Sequence, residues 1–204
     1  MKRKRSLLTS LTLATLLVLG STVFYPRTNA SAQDAYAGRT ITGSVYFIGG
    51  RRPGRTLPFR LIVKRVSNPD EVQQLNAALQ SGGQDGLMKV LSRMDAGRIE
   101  VGSGVGVPAN VILSTTDNDG RTKLVVLYQR DLGFGELRYG TRRSDYRFGY
   151  AELYLGRGAN EGMLIPAARV RLRDGNTWEV EDFGTFPARL MGLQVRGGGR
   201  STVG

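Results

Sequence analysis

Histidine and cysteine are both missing from the 204 residues. Without an imidazole there is no Ser-His-Asp triad, no Cys-His pair, no histidine-held metal and no histidine acid or base. Without a thiol there is no disulfide and no lipidated N-terminal cysteine, although neither absence argues against export. Lysine is scarce as well, with only Lys64, Lys89 and Lys123 beyond residue 32. Any catalysis would have to run on carboxylates, tyrosine, lysine or a Ser-Lys pair. No cofactor is expected, because no stretch carries a cofactor-binding signature.

What is present begins with Met1-Lys-Arg-Lys-Arg5 followed by the apolar run Leu7 to Leu19, the charged and hydrophobic regions of a secretory signal peptide. Ala30-Ser31-Ala32 and Ala35-Tyr36-Ala37 are small-x-small cleavage sequences. The expectation is therefore a signal peptide over 1–32, cut near Ala32 or Ala37, one globular domain over 38–196, and a flexible glycine-rich tail over 197–204. The alternative is an uncleaved N-terminal membrane anchor, since Ser6 to Tyr25 approaches the ~20 residues a bilayer needs. Either way export of the domain, to the periplasm or the cell exterior, is expected.

The formal charge of +12 overstates the basicity of the domain. Residues 1–32 hold five bases and no acid, which leaves 24 bases against 17 acids, or +7. Those bases include 21 arginines, scattered rather than gathered in one run. Twenty-eight glycines, about twice the usual ~7%, imply many turns.

The organising stretch is Leu57 to Val101. Phe59, Leu61 and Val63 alternate with Arg60 and Lys64, the period of a half-buried strand. Asn68, Pro69 and Glu71 then form a capping signal in which Asn68 accepts from first-turn amides and Glu71 reaches back. Val72, Leu75, Ala78 and Leu79 follow at helical spacing until Gly82-Gly83. Asp85 can cap a second helix with Leu87, Leu91 and Met94 on its stripe. The spacing predicts two short helices inserted after the second strand and lying on a sheet.

Elsewhere the pattern is strand and turn. Thr40 to Ile48 and Leu57 to Val66 read as a hairpin around Gly49–Arg55. Arg98–Val101, Val111–Thr116, Lys123–Tyr128, Phe148–Leu155, Met163–Leu172, Thr177–Phe183 and Leu190–Val195 supply the rest. The fold expected is α+β or mainly β, an antiparallel sheet of about eight or nine strands, with open sheet, sandwich and barrel undecided. The helical insert and frequent arginines argue against a membrane barrel. Gly102 to Pro108 is no phosphate loop, since strand rather than helix follows it. Asp117-Asn118-Asp119-Gly120 lacks the further ligands of a calcium loop and reads as a turn.

The densest mix of arginine and aromatics lies between Asp131 and Arg147. Arg138, Tyr139, Arg142, Arg143, Tyr146 and Arg147 are the candidate ligand-binding residues, because guanidinium groups grip carboxylate or phosphate bidentately and neighbouring rings add stacking surface. The expected function is an exported non-catalytic binding or structural domain, with an anionic cell-envelope polymer or a protein as partner. Nucleic acid fits the chemistry but not the compartment. The competing expectation is a carboxylate-dependent glycan-processing enzyme using Glu152, flanked by Tyr150 and Tyr154, or Glu136. A second stripe, Arg169, Arg171 and Arg173, is expected to be neutralised across a three-residue hairpin loop. That loop sets Arg171 against Glu179, Arg169 against Glu181, Val170 against Val180 and Leu172 against Trp178.

Overall fold

Short alternating runs between glycine-bearing turns leave most of the chain no option but strands paired antiparallel. The computed structural model describes residues 23–24, 35–49, 53–130, 145–156, 158–173, 177–182 and 187–197. Along them run β1 (Val23–Phe24), β2 (Thr40–Tyr46), β3 (Thr56–Val63), α1 (Pro69–Leu91), β4 (Gly97–Val101), β5 (Val107–Ala109) and β6 (Val111–Thr116). They continue as β7 (Thr122–Gln129), β8 (Phe148–Leu155), β9 (Glu161–Arg173), β10 (Thr177–Asp182) and β11 (Ala188–Arg196). Among the described residues the fold is a mainly antiparallel β-sheet with one helix. No described helix is long and apolar enough to cross a membrane.

The two short helices expected around the glycine pair are corrected to one helix with a kink. Asn68 caps it as the sequence implies: the Glu71 amide donates to Asn68 Oδ1 at 2.9 Å, and the Asn68 amide donates to Glu71 Oε2 at 3.0 Å. Gly83 then takes φ 54° and ψ −139°, a non-helical kink inside the element, beyond which the helix resumes. A left-handed φ costs glycine little, so the break becomes a change of direction. The turn is sharp, since a Cβ on Gly86 would stand 2.3 Å from the Ala78 carbonyl oxygen.

The ladder path is open and runs β5-β4-β3-β2-β11-β9-β8-β7-β6, with β10 added on β9 and β1 on β10. Its two end strands, β5 and β6, are separated in the chain by Asn110 alone. That buried amide donates from Nδ2 to the Met94 carbonyl at 3.0 Å and accepts the Gln129 N–H at 2.9 Å. The sheet therefore curls until β5 lies against β7.

Curling creates two cores. Inside it, Ile41, Val45, Phe59 and Leu61 meet Ile112, Leu124, Val126, Leu153 and Leu164. On the outer wall of β6–β9, Leu75, Leu87 and Leu91 of α1 cover Leu113, Val125, Leu127, Tyr150, Ile165 and Trp178. Strands buried on both faces should read as continuous apolar runs. Leu124 to Tyr128 is such a run, buried at every position, whereas β3 alternates. Gly149 is required by close approach, because a Cβ there would lie 2.0 Å from Tyr128 Cζ.

Polar ties seat the helix as well. Trp178 Nε1 donates to Asn76 Oδ1 at 2.6 Å. The Gln84 side chain bonds both backbone groups of Val170, accepting its N–H at 3.3 Å and donating to its carbonyl. It thereby stands where a β8 residue would, since the β8–β9 ladder stops at Phe148 opposite Ala168.

Because successive strands alternate in direction, their connections sort to two ends of the sheet. The described parts of turn 47–55, turn 102–106, the end of β7, the start of β8 and the start of β11 lie at one end, the Ile48 end. The helical connection and turns 117–121 and 156–160 lie at the Asp117 end.

Candidate functional site

Of the six candidate ligand-binding residues, Arg138, Tyr139, Arg142 and Arg143 lie outside the described residues, as does Glu136. Tyr146 and Arg147 are described, and both are engaged within the fold. Tyr146 donates its hydroxyl to Glu181 Oε1 at 2.9 Å. Arg147 forms an ion pair with Asp85 of α1. The Arg130 amide donates to the Arg147 carbonyl and the Arg130 Nε to the Tyr146 carbonyl, each at 2.9 Å. Arg130 and Arg147 thus stand side by side at the ends of β7 and β8. The bond to Glu181, with burial and the nearby carboxylate charge behind it, holds the Tyr146 phenol above its ordinary pKa.

The β9–β10 register is the one the hairpin length implies: Arg171 faces Glu179, Arg169 faces Glu181, and Val170 faces Val180. Neutralisation takes a different route from the expected one. Arg171 reaches diagonally to Glu181, with Nη2 2.9 Å from Oε2, rather than to Glu179 directly opposite. The contact is an ion pair without hydrogen-bond alignment, since Glu181 Oε2 and Arg169 Nε are both buried and lack a hydrogen-bond partner. Their residues face each other on the ladder.

The most enclosed carboxyl group among the described residues is Glu152, 1% exposed on β8. Strand periodicity puts Tyr150, Glu152 and Tyr154 on one face. The adjacent strand brings Lys123 opposite Tyr154. Tyr150 donates to Glu152 Oε1, Tyr154 donates to Oε2 at 2.6 Å, and Lys123 Nζ lies 2.6 Å from Oε1. Burial first, and then the Glu152 carboxylate, push both phenols well above their ordinary pKa. They remain protonated donors through the neutral range.

Around this centre, Arg121 stacks over the Tyr154 ring with its guanidinium carbon 5.0 Å from the centroid, and Lys123 Nζ is 5.5 Å away. Arg121 also bonds Asp117 at 2.9 Å and lies 3.8 Å from Glu161. Asp117 Oδ1 accepts the amides of Asp119 and Arg121, which makes this loop a self-bonded turn. No group of three or more potential metal ligands exists among the described residues.

Chemically, the cluster is a carboxylate whose two oxygens already take three donors. A glycosidase pair needs a second carboxyl about 5–9.5 Å away, with room for substrate or water. What reaches Glu152 here is two phenols and an ammonium. Sequence alternation found the Tyr-x-Glu-x-Tyr face. It missed Lys123, whose place depends on the β7–β8 register.

No family model matches the chain, and no curated protein or solved structure shows significant similarity to it.

Proposed function

We propose that this chain is an exported, non-catalytic domain that binds an anionic group at the Ile48 end of its sheet, after removal of a signal peptide near Ala32 or Ala37. The supporting observation is the way topology sorts charge. Connections 47–55 and 130–147 share that end and carry eight arginines against three acids. The connections of the Asp117 end, 64–96, 117–121 and 156–160, carry six bases against six acids. The β9–β10 excursion is itself close to balanced, its arginine stripe facing Glu179 and Glu181. The excess of arginine over acid in the sequence therefore belongs to these two connections, and guanidinium forks suit carboxylate, phosphate or sulfate.

Saturation of Glu152 by internal donors supports the non-catalytic part of the reading over glycan processing. Replacing Arg138, Arg142 and Arg143 together by glutamine tests the binding part, with polyphosphate as probe and salt as a variable. A loss of about tenfold or more, with a flatter salt dependence, is expected. Arg39→Gln with Arg196→Gln, at the opposite end, should leave binding unchanged. Equal losses in both variants would overturn the assignment to this end. Intact-mass measurement of the exported chain tests processing, and a full-length mass would overturn it.

A further inference from the structure

We propose that the Ile48 end docks on an anionic lipid surface, with exposed apolar side chains entering the headgroup boundary while neighbouring arginines meet lipid phosphates. Five large apolar side chains are exposed among the described residues, and four of them gather here: Tyr46 at 37%, Ile48 at 47%, Val105 at 84% and Met191 at 41%. The ladders bring them together. Tyr46 faces Arg189 on one side and Thr56 on the other, Met191 faces Ser44 one pleat along, and Arg55 bonds Phe47 through the backbone at the same turn. Val105 rides the glycine-bearing turn after β4, which pairs with β3. From β11 to β4 is four strands, so the group spans roughly 15 Å at the ~4.8 Å strand spacing.

The occupant follows from the kind of surface this makes. The apolar residues are separate points divided by Arg55, Arg189 and glycines, not a continuous plate of the sort a protein partner buries. Apolar points on turns with arginine between them match an interface whose outer layer is anionic and whose next layer is hydrocarbon. Among the described residues, α1 packs on the other wall and does not cover this region. The net charge left after residues 1–32, 24 bases against 17 acids or +7, has the sign that such a surface attracts.

This inference rests on the anion-binding reading above and names the anion's source. The test is co-sedimentation of the exported chain with phosphatidylcholine vesicles, with and without phosphatidylglycerol, beside a polyphosphate-binding arm. Thermal melts confirm that each variant is folded. The expected result is binding only to the anionic vesicles. Ile48→Ser with Val105→Ser should weaken it about tenfold while sparing polyphosphate binding. Arg55→Gln with Arg189→Gln should weaken it by about fivefold per arginine. Polyphosphate binding without vesicle binding would overturn lipid docking and leave the anion reading standing, and loss of both would remove both. Vesicle binding indifferent to Ile48→Ser with Val105→Ser would overturn insertion.

Discussion

At the Asp117 end of the sheet, charge is structural. Lys64 meets Asp95 at 2.5 Å, Arg65 grips Glu71 through two bonds of 2.7 Å, Arg121 joins Asp117 and Glu161, and Lys123 is held on Glu152. At the Ile48 end the turns have more arginine than acid, and Arg55 and Arg189 are exposed. The same residue types thus serve two purposes, and what separates them is the supply of carboxylates on neighbouring strands. Charge substitutions should cost stability at one end and binding at the other.

The largest expected effect is Lys123→Met, which leaves a carboxylate 1% exposed with phenol donors only. Removing one partner of a buried ion pair costs about 3–5 kcal/mol. Urea unfolding should show that loss, and the double variant with Glu152→Met should recover much of it. A shift below about 1 kcal/mol would mean that the pair is not closed as described. Next comes Gly149→Ala, which forces a methyl into the Tyr128 ring and should cost about 1–3 kcal/mol. Combining it with Tyr128→Leu should relieve most of the strain.

Asn68→Ala removes the helix cap and should cost about 1 kcal/mol. It also sharpens the comparison through pH. The Arg65 bond, helped by the Asn68 amide, holds the Glu71 carboxyl below its ordinary pKa. A lowered folded pKa gives stability that is complete above the unfolded value and is lost as pH falls through the folded one. Glu71→Gln should therefore lower stability at neutral and alkaline pH and flatten the acid limb, so that variant and parent converge as pH falls through the folded pKa. The smallest effect belongs to the Ile48 end: Arg55→Gln or Arg189→Gln should stay within about 0.5 kcal/mol of the parent. A larger loss there would erase the contrast between the ends.

Much of this architecture was legible from alternation alone. Phe148–Leu155 was bounded correctly by its pattern, and the β9–β10 register followed from keeping Val170 with Val180 and arginine with glutamate. The helix was harder to read. Gly82 and Gly83 each disfavour helix by about 1 kcal/mol, but burial of Leu87 and Leu91 on the sheet outweighs that preference. Barrel-like curling was not legible, because it depends on Asn110 joining the two ends of the ladder path. The Glu152 cluster was half legible: Tyr150, Glu152 and Tyr154 share a strand, whereas Lys123 is 29 residues away and arrives only through the β7–β8 ladder. Four of the six arginine and tyrosine candidates fall outside the described residues.

Trp178 is the chain's single tryptophan, fully buried beneath α1 and bonded to Asn76 of that helix. The molecule therefore carries its own optical gauge of one particular joint. Emission from this indole follows the seating of the helix on the outer wall and is remote from the curled interior of the sheet. If the helix lifts before the sheet opens, the fluorescence transition will precede the far-ultraviolet dichroism transition. If the two cores melt as a unit, the curves will superimpose.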